Sequence, residues 1–510
     1  MEGLEISEVM LSELEYSGRI DAEYYRPKFL KYETIVKNRD GKSLKDVTNF
    51  LIGPFGSAFT VDNYVDDKSY RYIRGKDVKP LKLMDDDNVY MPFEDYKKLS
   101  KYALKENDIL VSVVGTLGNA AIITKKDIPA IFSCKSTVLR VNKINPNYLL
   151  VYLNSKYGRE LLLRKERGAI QKGLNLDDLK TLEVFVPSEN FQNQIDNFFK
   201  LSFQNLEQSK LLYIQAENLL LESLGLNKES LDCQEAKAYL NSDVGDLEKK
   251  PATSSLRGVA TPRRGNPELQ NQKSDKFSHL SINQKSFKES FLKTGRLDAE
   301  YYQPKYEEIT NQIKLREYAK LSDLVLIQKS IEPGSEAYLE NGLEFIRVAN
   351  LNKFGISKSE IFLDEEKYSG TIKPKKDTIL LSKDGTVGIA YKVSEDLNCI
   401  TSGAILHLTI NQKNILPDYL TLVLNSKLVQ MQAERDSGGS IIQHWKPSEI
   451  MEILIPIIDQ PTQAKISSLI QTSFTLKAKS ENLLEVAKKA VEMAIEENEE
   501  RALEFIAKMK

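Results

Sequence analysis

Two hydrophobic periods alternate along this chain, and each half carries them in the same order. Near the C-terminus, Ile466, Leu469, Ser473, Leu476, Ser480, Leu483, Ala487, Ala490 and Ala494 recur at alternating steps of three and four. That spacing predicts a long helix with one continuous seam for packing on another helix. In the first half Ile195, Phe198, Ser202, Asn205, Ser209, Leu212, Ala216, Leu219 and Ser223 follow the same pattern. Both seams are rich in Ser and Ala, and small side chains let two backbones approach closely. The two helices are therefore expected to pair with each other, antiparallel. Each would be a rod of roughly 45 Å for about 30 residues.

Ahead of each seam lies a region dense in β-formers. LKENDILVSVVGTLGNAAII begins at Leu104, and IKPKKDTILLSKDGTVGIAY begins at Ile372. In both, an apolar strand runs into Gly-Thr-x-Gly before a second strand, which predicts a tight hairpin. Amphipathic helices follow, NYLLVYLNSKYGRELL and DYLTLVLNSKLVQMQA, with a helix start at Pro417-Asp418. Each half then closes on a short apolar strand ending at Pro187 or Pro456. The halves also open alike, with GRIDAEYYRPKF from Gly18 and GRLDAEYYQPKY from Gly295. Such a separation is far longer than the roughly 20–50 residues of a solenoid repeat, so it marks a duplication.

The expected fold class is α+β: two similar α/β globules separated by a long antiparallel two-helix coiled coil with pseudo-two-fold symmetry. The expected boundaries are 1–189 for the first opening segment and globule, 190–225 for the first spacer helix, 287–458 for the second segment and globule, and 459–510 for the C-terminal spacer helix. Between them 226–286 is polar, with Pro, Gly and Ser, and reads as a flexible linker in which Arg257, Arg263 and Arg264 are basic.

Composition narrows the function. The 510 residues carry 71 Lys and Arg against 73 Asp and Glu, a net charge of −2. Bulk charge thus gives nucleic-acid binding no support, and any such binding must use local patches or basic partners. No apolar run is long enough to span a bilayer, and the acidic N-terminus does not resemble a signal peptide. The three cysteines, Cys134, Cys233 and Cys399, are scattered and odd in number. They suit a reducing cytoplasm and leave no paired-cysteine zinc site. The sequence has no phosphate loop, HExxH, GxSxG or Cys/His cluster, and no residue is assigned to a metal or to catalysis. Its three histidines are His279, His407 and His444. His407 reads as a strand residue, and Trp445 as core. Two similar globules on a rigid spacer imply a reader of two sites at a set separation.

The repeated DAEYY opening, the Gly-Thr-x-Gly hairpin, the closing strand ending in Pro and the helix after it together resemble the specificity subunit of Type I restriction–modification systems. The resemblance covers nearly the whole chain, with the segment after Leu226 as the main departure. It implies that each globule is a target recognition domain reading one half of a split site in double-stranded DNA, while the helices fix the gap. At roughly 3.4 Å per base-pair step, 45 Å corresponds to about 13 base pairs. It also implies two copies of an adenine-N6 methyltransferase subunit and a restriction/translocase subunit as partners. S-adenosylmethionine, ATP and Mg would sit on those partners, and this chain would hold no cofactor. Two other readings are a pseudo-symmetric scaffold joining two identical proteins without touching DNA, and a standalone nuclease.

Three loops per globule offer the donors that direct readout and phosphate contact need. The DNA-binding candidates are Ser57, Arg71, Arg74, Lys76, Gln171 and Lys172 in the first globule. In the second they are Lys329, Ser335, Arg347, Asn350, Ser440, Gln443 and His444. Arg74 and Arg347 follow matching strands, and either could instead brace the fold through a carboxylate. The repeated Asp21, Tyr24 and Tyr25, with Asp298, Tyr301 and Tyr302, are the candidates for docking two identical partners. The aspartates could also simply cap the helix that carries the tyrosines.

Overall fold

The computed structural model describes residues 6–168, 172–226, 283–437 and 443–509. Nearly all of the linker expected at 226–286, together with Gln171 and Ser440, lies outside the described residues. The chain forms two compact units. Residues 1–207 and 476–510 make unit 1, and 208–475 make unit 2.

Unit 1 is built on a four-stranded antiparallel sheet in the order Thr48–Ile52, Ser136–Val141, Ile109–Ser112, Ala120–Ile122. Phe50 faces Leu139, which faces Ile109 across the next strand. A second sheet places Arg71–Ile73 between Val89–Tyr90 and Ala130–Phe132, the latter parallel to it. Gly41–Ser43 pairs with Glu183–Phe185, the expected closing strand. Unit 2 repeats the plan. Val325–Lys329, Ile405–Ile410, Ile379–Ser382 and Ala390–Lys392 form the four-stranded sheet. Leu343–Ile346 lies between Phe362–Leu363 and Cys399–Thr401, and Tyr318–Lys320 pairs with Leu454–Pro456. Unit 2 adds a small hairpin, Leu351–Asn352 with Gly355–Ile356.

The Gly-Thr-x-Gly segments join antiparallel strands as expected, but not by a tight turn. Residues 113–119 form a longer loop held from within. Ser112 Oγ donates to Thr116 O (2.5 Å) and accepts from Asn119 N (3.0 Å). Ser382 does the same with Thr386 O and Ile389 N. Gly118 and Gly388 have φ of +74° and +84°. A Cβ at either would fall 2.7 Å from Leu162 or 2.8 Å from Gln430, so the loop lies hard against the next helix.

The amphipathic stretch after each hairpin is two helices rather than one. Pro146–Asn154 and Lys156–Arg164 break at Ser155, whose side chain accepts from Gly158 N. Pro417–Asn425 and Lys427–Asp436 break at Ser426. The residue before each break fastens the helix to the edge strand, Asn154 Nδ2 donating to Ala120 O (3.1 Å) and Asn425 Nδ2 to Ala390 O (2.7 Å).

The long helices are Glu189–Ser223 and Gln460–Glu496. The second stops short of the expected end. Asn498 caps a separate helix, Glu499–Lys508, by accepting from Arg501 N. The seams meet within each unit. In unit 1, Ser202 Oγ donates to Ser480 O and lies 2.9 Å from Ser480 Oγ. In unit 2, Ser473 Oγ donates to Ser209 O (2.7 Å) and lies 3.1 Å from Ser209 Oγ. Ile195, Phe198, Ala216, Ile466, Leu483, Ala487, Ala490 and Ala494 are buried as expected. Ser223 is exposed, and Leu220 and Leu224 take its place in the core. His407 is a buried strand residue bonded to Thr401 Oγ1 (2.7 Å), and its burial lowers its pKa to about 4. Trp445 is in the core.

Candidate nucleic-acid interface

Each unit gathers its three candidate loops around one turn that follows the parallel edge strand of the smaller sheet. In unit 1 that turn is Ser133–Lys135. Ser133 N donates to Ile73 O (2.9 Å), next to the Arg74–Asp77 loop. A Cβ on Gly53 would lie 2.6 Å from Ser133 O, and one on Gly75 2.8 Å from Lys135 Cβ. On the other side Val113 N donates to Lys135 O (2.9 Å), and Leu174 N to Val113 O (3.0 Å). Segments 53–59, 74–77 and 172–174 therefore share one edge. Unit 2 repeats three of these links, Ser402 N to Ile346 O, Lys383 N to Ala404 O and Trp445 N to Lys383 O, and joins its first loop by a further bond, Gly403 N to Ile331 O. The turn had no distinctive sequence signature, yet it brings exposed Lys135 to this edge.

The candidate side chains fare differently. Ser57, Lys329, Ser335, Arg347 and Gln443 are exposed. Lys76 is half-exposed and paired with Asp87 (2.9 Å), and Lys172 is paired with Glu166 (2.5 Å). Arg71 is corrected: it lies inside the strand, buried, with Nη1 on Asp127 (2.9 Å) and Nη2 donating to Met84 O. A guanidinium so enclosed cannot reach a duplex. Arg74 is corrected toward bracing. Its Nε and Nη2 both bind Asp77, a carboxylate 1% exposed, and it also contacts Asp87. Asn350 is also structural, accepting from Arg347 N (3.1 Å) and donating to Lys358 O (3.1 Å). His444 Nδ1 is 2.9 Å from Asp384, which is also paired with Lys383, so one imidazole edge is pinned and the other faces out.

The repeated opening makes a clasp. Ala22–Tyr25 and Ala299–Tyr302 are 3₁₀ turns, and neither aspartate caps one with its side chain. Instead Arg19 grips Asp21 through Nε (2.8 Å) and Nη2 (2.5 Å), and Arg296 grips Asp298 through the same atoms. These bonds hold both aspartate pKa values below the ordinary 3.8. The arginines also reach the globules, donating to Glu166 O and Asp436 O. Tyr24 lies 4.5 Å from Arg19 and 4.1 Å from Arg164, and Tyr301 repeats this with Arg296 and Arg435. Tyr25 and Tyr302 donate back to Arg19 O and Arg296 O. The rings of Tyr24 and Tyr25 are buried, so they hold the segment to its own globule rather than line a surface. The matching residues left outside are Ile20, 90% exposed, and Leu297, 66% exposed, flanked by exposed Glu23 and Glu300.

The architecture is thus a duplicated mixed sheet globule, each copy with a polar loop edge and a paired long-helix segment. The family model for the Type I restriction modification DNA specificity domain matches twice, over residues 37–216 and 315–486, and the chain belongs to that family. No curated protein sequence matches it. Among solved structures it is similar to a Type I restriction-modification S subunit from M. genitalium, at 14% identity over 89% of this chain and 95% of that one, with a TM-score of 0.40. It is also similar to the HsdS subunit from Thermoanaerobacter tengcongensis, at 13% identity over 90% and 96%, with a TM-score of 0.26. At such scores the overlays add no argument to the family match. Among the described residues, no helix is long and apolar enough to cross a membrane.

Proposed function

We propose that this chain is the non-catalytic, sequence-reading subunit of a cytoplasmic restriction–methyltransferase complex. Each unit reads one half of a split site in double-stranded DNA, and the paired helices set the gap between the halves. The observation that carries this is the gathering of three polar loops at one edge, around the same turn in both units and with three backbone bonds in common. In that reading the exposed Lys135, Lys329, Arg347 and Ser335 supply donors for phosphates and base edges. Two copies of a modification methyltransferase subunit dock at the matching surfaces marked by Ile20 and Leu297, and a restriction/translocase subunit joins them. S-adenosylmethionine, ATP and Mg belong to those subunits.

The test is to map methylated adenines genome-wide with and without this gene. Loss of methylation at one two-part motif supports the proposal, whereas methylation that persists unchanged overturns it. The near-zero net charge favours one other reading, a scaffold that joins two identical proteins without DNA. Salt separates the two, because affinity carried by phosphate contacts falls steeply as salt rises.

A further inference from the structure

Phe55 is out of place by ordinary packing rules. Its ring is 87% exposed, although burying a phenylalanine is worth roughly 1.5–3 kcal/mol. The ring is also rigidly mounted. Pro54 before it and Phe59 after it are buried, and Phe59 packs on Tyr72 with ring centroids 4.9 Å apart. Ala58 N donates to Phe55 O (2.8 Å), closing a 3₁₀ turn over Gly56–Ala58. Gly53 is pressed on the Ser133–Lys135 turn, so the loop cannot fold away. The neighbours at this edge include exposed Lys135, exposed Ser57, and Lys76, which pairs with exposed Asp87 at 2.9 Å. The scaffold does not require an aromatic here. At the matching turn of unit 2, Ser335–Ala337, the residue in the place of Phe55 is Gly334.

We propose that Phe55 is a wedge, inserting between stacked bases in the half-site read by unit 1, while unit 2 reads its half without such a wedge. The inference rests on the DNA-reading function proposed above. A rigid apolar side chain near a cation such as Lys135 can lever a base step open, because the lysine holds a neighbouring phosphate while the ring replaces lost stacking. The resulting kink adds specificity at the step that opens most easily, without a hydrogen bond to either base.

The test uses the full chain assembled with its methyltransferase subunit, on duplexes carrying the mapped site. 2-Aminopurine is walked through every position of both halves except the adenine to be methylated, which the methyltransferase itself unstacks. Expected is a fluorescence rise at one step, confined to one half. Phe55→Ala should abolish it and weaken binding about tenfold. Phe55→Leu should keep most of both. Because the ring is exposed, the melting temperature should not change. The inference is overturned if the wild type gives no rise, or if the rise survives in Phe55→Ala. It is also overturned if Phe55→Ala weakens assembly with the methyltransferase and leaves DNA binding intact, which would make Phe55 a protein contact. Site-specific methylation with no such rise would sink the wedge alone, whereas loss of site-specificity in the wild type would sink the reading beneath it.

Discussion

The two units solve one structural problem with different side chains, most clearly at Arg74 and Arg347. Each arginine directly follows a strand, and its backbone N–H is capped from three residues on. The cap is Asp77 at 2.8 Å in unit 1 and Asn350 at 3.1 Å in unit 2. Capping a turn needs only an acceptor oxygen, which an amide and a carboxylate both supply. Holding a guanidinium needs charge, which only the carboxylate supplies. Arg74 is therefore locked to Asp77, while Arg347 is exposed and forms no ion pair among the described residues. One functional-group difference thus separates a brace from a free cation on the same backbone. A duplicated fold can keep its turns and diverge in what it offers to a ligand. The same holds in the core, where Phe132 and Val138 of unit 1 occupy the places that Thr401 and His407 take in unit 2.

The largest test of this contrast removes each arginine. Arg74→Ala strands the buried Asp77 carboxylate, and losing one partner of such a pair costs about 3–5 kcal/mol. Arg347→Ala strands nothing and should cost under about 0.5 kcal/mol. Hydrogen exchange at residues 71–78 and 344–351 reads both losses. Equal losses would mean that Arg74 is no more a brace than Arg347.

The next contrast depends on pH. Burial holds His407 neutral down to about 4, whereas an unfolded histidine takes up its proton near 6.5. Between those values the unfolded chain binds more protons, so unit 2 should lose stability as pH falls, by up to about 3 kcal/mol at pH 4. Unit 1 has Val138 at that place and should lack this term. His407→Val should flatten the slope of unit 2 over pH 6.5–4. The variant should also lose about 1–3 kcal/mol at neutral pH, because the buried Thr401 hydroxyl loses its partner. A separate acid term, common to both units, lies lower. The clasps at Asp21 and Asp298 contribute fully above pH 3.8 and are lost as pH falls below it.

These contrasts also explain what could be read from the sequence. The seams were legible because a three-and-four spacing running for eight turns has few other meanings, and the duplication supplied its partner. The pairing of globule and opening was legible as a repeat, but its mechanics were not. Asp21 before Ala22 reads like a cap, and only the fold brings Arg19 onto it. The break at Ser155 was hidden because Asn-Ser-Lys contains neither Gly nor Pro, the usual punctuation. Arg71 looked like a loop cation because the stretch YRYIRGKD from Tyr70 reads as one polar loop, whereas Arg71–Ile73 within it is a buried strand. The Ser133–Lys135 turn carries no motif at all, since its importance lies in backbone bonds to Ile73 and Val113 and in the close approach of Gly53.

A smaller effect should appear in DNA binding. Arg347→Ala should weaken binding by about 1–3 kcal/mol and relax selectivity in one half-site, if the side chain reads a base edge. If it holds a phosphate, all sequences should weaken alike and the salt slope should fall by about one. Asn350→Asp sharpens the comparison by installing the carboxylate of unit 1. It should draw Arg347 into a brace and reproduce most of the binding loss without removing the arginine. If Asn350→Asp leaves binding unchanged, pairing to residue 350 does not control this cation.

The smallest expected effect concerns the helix seam. Ser202 on the first long helix and Ser473 on the second each donate to the facing backbone carbonyl, of Ser480 and Ser209 respectively. Their partners Ser480 and Ser209 contribute only a hydroxyl contact. Ser202→Ala and Ser473→Ala should therefore cost about 1 kcal/mol each, the usual net value of one buried hydrogen bond. Ser480→Ala and Ser209→Ala should cost less, because the donating serine keeps its carbonyl. Sensitivity would then follow place in the repeat rather than helix, with residues 202 and 473 behaving alike although they lie on different helices. Urea unfolding of the four variants decides this. A ranking by helix, with 202 and 209 alike against 473 and 480, would mean that the two units do not use equivalent pairings at the seam.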